Sequence, residues 1–231
     1  MLHHENTKDG SHIYKRIEKK GFLKEELRAE SNSFVFENYY FSIYSTTSKL
    51  VFSIYDLTND SYLKEYTISD NDSISFKNSP VIMTRGKYTK TKESNKSNQF
   101  IRNLTSSNSG ISAYEKNGLF IVTLGSSEKI QSGGFAMVGG LLGGIAGAML
   151  FSVFDSYSNT ESIRIECLFD KDFNHVLGEV PKNGFDRIKE FIDYREFNRF
   201  PLQTVFQYRD NYIWGYYDPN SGVYSFYRFD D

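Results

Sequence analysis

The chain has a single cysteine, Cys167, in 231 residues, so neither an intramolecular disulfide nor a cysteine-based zinc cluster is open to it. Positive charge is not in excess: 27 Lys and Arg stand against 29 Asp and Glu, a formal net charge of −2. That balance argues against a nucleic-acid partner, which normally requires a basic footprint. The first thirty residues, MLHHENTKDGSHIYKRIEKKGFLKEELRAE, lack the apolar stretch of an export signal, which favours the cytoplasm without excluding membrane association. Catalytic signatures are missing as well. No G-x-S-x-G, Walker A loop, H-E-x-x-H or Rossmann fingerprint occurs. Gly133-Gly134 and Gly139-Gly140 are not followed by the Lys-Ser/Thr of a phosphate-cradling loop. From residue types and spacing, no catalytic residue, cofactor or metal site is expected.

The histidines and the cysteine fit that reading. His3, His4 and His12 lie close together in a polar leader with no spacing that would organise them as ligands. His175 sits in a turn without a nearby Cys, Ser or second His. Cys167 lies within the alternating SIRIECLF and reads as a small core residue rather than a reactive thiol.

What the chain does have is aromatic side chains, 20 Phe and 17 Tyr. Such rings pack well on a pleated, half-buried surface and favour strands. From Ser33 onward, short β-branched and aromatic runs alternate with turn residues, predicting antiparallel strands at 33–37, 39–45, 50–56 and 62–69. Further hairpins are predicted with turns at Lys116-Asn117-Gly118, Asp170–Asn174 and Asp218–Gly222. The segment Asn38–Tyr44 followed by Val51–Asp56 can be set beside Asn211–Tyr217 followed by Tyr224–Asp230. Aromatic-acidic pairs at Tyr55-Asp56, Tyr114-Glu115, Phe169-Asp170 and Tyr217-Asp218 recur about every 50 residues, the period of a propeller blade. The fold expected is all-β, made mostly of antiparallel hairpins with one or two short helices, with propeller-like repeats, a sandwich or a twisted meander as the plans that fit.

Three segments are not strand-like. Residues 1–32 form a polar leader in which 13–30 suits a short helix pair interrupted at Gly21, leaving 33–231 as the β-rich domain. Residues 87–110 read as a polar exposed loop with a short ordered piece around Phe100-Ile101. Residues 183–197 place Phe185, Ile188, Phe191, Ile192 and Phe197 near helical spacing, with Asn183 positioned as the cap.

Within an insertion at 126–160, residues 133–154, GGFAMVGGLLGGIAGAMLFSVF, contain no charged side chain. Gly139, Gly143 and Gly147 follow a G-x-x-x-G-x-x-x-G pattern. As a helix, this stretch would put Gly140 and Gly144 on the same arc, with Leu141, Leu142 and Ile145 on the opposite side. A face without side chains lets two backbones approach closely. The stretch resembles the glycine-zipper segments of bacterial envelope and membrane proteins over these 22 residues. Yet the flanking GLFIVTLG (118–125) and SIRIECLF (162–169) read as neighbouring antiparallel strands. A spanning helix would separate its ends by about 30 Å, whereas paired strands lie about 5 Å apart. A membrane-contacting hairpin, a contact with a partner chain or a second copy, and an apolar flap all satisfy that constraint. The function expected is a non-enzymatic interaction module that associates through 133–154. The alternative is a hydrolase or carbohydrate-binding β-repeat protein with the insertion as its lid.

Overall fold

The structure, a computed structural model, describes residues 2–5, 12–15, 17, 29–85, 88–92, 97–106, 108–129, 160–182, 184–195, 202–208 and 211–230. It is all-β with antiparallel pairing throughout and two short helices among the described residues. Strands β3 (Ala29–Phe36), β4 (Tyr39–Thr46), β5 (Lys49–Asp56) and β6 (Ser61–Ser69) form a four-stranded meander in that order. Turn chemistry sets its boundaries. The Thr46 hydroxyl accepts from Lys49 N at 3.1 Å, and the Asp56 carboxylate accepts from Thr58 N at 2.7 Å and Asn59 N at 3.1 Å. Each side chain replaces the ladder bond that the backbone loses on turning.

The second sheet has the order β8-β7-β11-β10-β9. Its strands are β7 (Val81–Arg85), β8 (Tyr88–Lys92), β9 (Asn108–Lys116), β10 (Leu119–Lys129) and β11 (Thr160–Phe169). The β9–β10 turn is Asn117-Gly118, both at positive φ (55° and 76°), the conformation that a two-residue hairpin needs. Helix α1 (Asn98–Ser106) packs between the two sheets, and helix α2 (Gly184–Arg195) precedes a third sheet of β12 (Leu202–Tyr208), β13 (Asn211–Asp218) and β14 (Val223–Asp230). A separate hairpin pairs β1 (Leu2–Glu5) with β2 (His12–Lys15).

The five-stranded sheet is the central layer, and its alternation feeds two cores. On one face Phe120, Val122 and Leu124 of β10 and Ile163, Ile165, Cys167 and Phe169 of β11 meet Phe41, Ile43, Leu50, Phe52 and Ile54 of the meander, with Phe100, Ile101 and Leu104 of α1. On the other face Tyr114, Ile121 and Leu168 meet Ile188 and Ile192 of α2 and Val205, Tyr212 and Trp214 of the third sheet. At about 1.5–3 kcal/mol for each fully buried large apolar side chain, both interfaces are substantial.

These layers correct parts of the sequence reading. The sheets hold two, four, five and three strands and stack face to face, so a four-stranded unit occurs once, at 29–69. Propeller-like repetition is not shown by the described residues. The recurring aspartates have a local cause: Asp56, Asp170 and Asp218 each accept backbone N–H groups of the turn that follows. Residues 87–110, expected as an exposed loop with a short ordered piece around Phe100-Ile101, hold β8 as well as α1, which stands at that ordered piece with Phe100, Ile101 and Leu104 fully buried. His12–Lys15, at the start of the expected leader helices, is a strand, where Ile13 and Tyr14 follow strand preference. The rest of that helical stretch up to residue 28 lies outside the described residues apart from Ile17, as does Asn183. Helix α2 itself stands where the sequence places it, and among the described residues no helix is long and apolar enough to cross a membrane.

Candidate functional site

The association residues named from the sequence, Gly139, Gly140, Leu141, Leu142, Gly143, Gly144, Ile145 and Gly147, lie outside the described residues. Their roots do not. β10 pairs β11 from Phe120↔Phe169 without a break to Lys129↔Thr160. The intervening chain therefore leaves and re-enters the central sheet at adjacent backbone positions, about 5 Å apart. Near this end the backbones are close. A Cβ on Gly125 would stand 2.5 Å from the Ile163 carbonyl oxygen and 3.0 Å from Arg164 Cβ. Gly125 also pairs with Gly110 of β9.

Residues with possible chemistry are otherwise occupied. His175 Nε2 lies 3.0 Å from Asn78 Oδ1. The amide orientation of Asn78 is fixed on every side. Its Nδ2 donates to Val176 O at 2.8 Å and Gly178 O at 3.0 Å, while Oδ1 accepts from Leu168 N at 2.7 Å. With Oδ1 an acceptor, His175 Nε2 must carry the proton and donate. Burial holds the imidazole below the usual histidine range, and the ring stands edge-on to Phe169. His175 is thus a clasp between the loop after β11 and the loop before β7. Cys167 is fully buried, and burial pushes its thiol well above the ordinary range, which leaves it inert. In β1–β2 the register sets His3 opposite Tyr14, His4 opposite Ile13 and His12 opposite Glu5. Among the described residues no group of three or more His, Cys, Asp or Glu could hold a metal ion.

A second surface lies on the third sheet. The third sheet is aromatic on both faces. Its inner face carries Tyr212, Trp214, Tyr216, Tyr227 and Phe229, gathered around Trp214. Its outer face carries Tyr217, Tyr224 and Phe226, with Tyr217 and Tyr224 in ring contact at 4.7 Å and Phe226 lying over Gly215. Tyr224 and Phe226 are 64% and 59% exposed. The signal was in VYSFYRFD, where aromatics occupy both parities of a strand whose single packed face needs only one.

No family model, curated protein or solved structure matches the chain.

Proposed function

We propose that the protein is a non-enzymatic interaction module that presents the apolar segment 133–154 from the end of the β10–β11 hairpin to a membrane or to a partner chain. The observation that carries the proposal is the register ending at Lys129↔Thr160. It supports a segment that departs and returns on one side of the molecule, as a contact element does and a simple spanning helix does not. The uncharged, glycine-rich composition supports a destination of low polarity or a close backbone partner. His175, on which a hydrolase reading leans, is engaged by Asn78 and faces Phe169.

The test replaces 133–154 with a short polar turn and compares the variant with the full chain by vesicle flotation and light scattering. The expected result is unchanged sheet content and a loss of flotation or of assembly. Unchanged partitioning and assembly in the variant overturn the proposal.

A further inference from the structure

Strand edges carry unpaired N–H and C=O groups, and proteins commonly guard them with Lys, Pro, bulges or a covering element. Several edges of this molecule are guarded. β6 places Lys64 and Glu65 side by side and pairs β5 through a bulge at Ile54/Tyr55. β8 carries Lys90 and Lys92. β3 lies beside β9, and Asn32 Nδ2 donates to Ser109 O between them. β14 differs. Like β12 at the other edge of the third sheet, it pairs β13 without a register break and contains neither Lys nor Pro, and among the described residues no strand pairs with it on its outer side.

Its edge direction can be assigned. The carbonyl of Asp230 accepts from Arg187 Nη1 at 2.6 Å, so at that position the strand turns its polar groups toward α2 rather than β13. In an antiparallel ladder alternate residues point the same way. Tyr224, Phe226 and Arg228 therefore turn their N–H and C=O groups to the open edge. The same three side chains stand on the outer face, at 64%, 59% and, for the Arg228 side chain, 68% exposure.

We infer that β14 is a homodimer edge, pairing antiparallel with β14 of a second copy across a two-fold axis at Phe226. In this register Phe226 faces Phe226 of the second copy, and Tyr224 faces Arg228 in both directions. Each guanidinium then lies against an aromatic ring, with no like charges opposed. The contact is isologous, and it joins two three-stranded sheets into one of six. Arg187 closes each end of the new ladder at Asp230, which would otherwise face the turn at Gly222. A second copy fits the edge because the strand's own sequence supplies both halves of the match.

The test uses the full chain, whose one native cysteine is buried. At the two-fold axis, Cα atoms of a bonded pair stand about 5.5 Å apart, within the roughly 4.4–6.8 Å that a disulfide spans. The variant Phe226→Cys should cross-link nearly completely to dimer under mild oxidation. Tyr224→Cys should not, because its two copies would stand about 13 Å apart along the strands. Mixing Tyr224→Cys with Arg228→Cys should restore cross-linking. Phe226→Lys should raise the dimer dissociation constant at least tenfold while leaving the circular dichroism spectrum unchanged. A monomeric parent at high micromolar concentration overturns the inference. So does a dimer indifferent to Phe226→Lys, or Tyr224→Cys cross-linking as readily as Phe226→Cys. Because the readout is specific to positions in β14, it is independent of association through 133–154.

Discussion

At the scale of single residues, Asn78, His175 and Phe173 show how the loop after β11 is held. Phe173 adopts the left-handed region, φ 57°, and is buried against Tyr39, Phe41 and Phe120. The backbone cost there is about 1–2 kcal/mol, while burying the ring contributes about 1.5–3 kcal/mol, so burial wins. Tyr66 adds a hydrogen bond from its hydroxyl to Phe173 O at 2.6 Å. Asn78→Leu removes four donor–acceptor pairings at once and leaves Leu168 N, His175 Nε2, Val176 O and Gly178 O without them. A loss of about 2–4 kcal/mol is expected in urea unfolding. His175 supplies a pH dependence. In the unfolded chain its imidazole takes up a proton near pH 6.5, whereas burial delays that uptake to lower pH in the fold. The unfolded state thus binds more protons in this window, and stability rises with pH. The contribution is complete above the unfolded value and is lost as pH falls through the folded one. His175→Gln should flatten this part of the stability profile, measured by urea midpoints across weakly acidic pH. A profile as steep as the parent's would show that other groups cause the slope.

At the scale of elements, α1 and the paired glycines of the central sheet make the clearest tests. Ile101 of α1 is fully buried in the first core, so Ile101→Ala should cost about 2–4 kcal/mol. Arg102, the next residue, is exposed, and Arg102→Ala should stay within about 0.5 kcal/mol of the parent. Gly125→Ala drives a Cβ into the Ile163 carbonyl, and a loss of about 1–3 kcal/mol is expected from the forced backbone shift. The contrast between α1 and the strands also explains what could be read in advance. β4, β5, β6, β13 and β14 are bounded by residues that make their own turns, such as Asp56 and Asp218, and that chemistry is local. α1 has only three buried apolar residues in nine and is secured from outside. Its Thr105 hydroxyl donates between Ile101 O and Thr46 O, each 2.8 Å away, and the Ser97 hydroxyl before it reaches Ser69 O. Thr46 and Ser69 lie far off in the chain, so no window around residue 100 could show them. The strands β10 and β11 were legible because one opens on a short continuous apolar run after a two-residue turn and the other alternates. The place of β14 at the end of its sheet was not, since among the described residues it depends on which strands pair.

At the scale of the whole molecule, the central sheet belongs to both cores, so the layers should not unfold independently. Trp214, the only tryptophan, is fully buried in the second core, away from the meander. Its fluorescence and the far-ultraviolet signal of all the sheets should change together in urea. Two separated transitions would mean that the third sheet melts on its own. The placement of the roots of 133–154 has one more consequence, and it is mechanical. If that segment is held elsewhere while the body is pulled, tension enters β10 and β11 side by side and in the same direction. The two strands are then not peeled apart. The load passes sideways into their outer neighbours, through nine registered pairs to β9 and four to β7. Those bonds lie across the pull and share it in parallel, so the body would have to slide as a block before it gave way. A tether at this point is therefore anchored in the stiffest direction that the sheet offers.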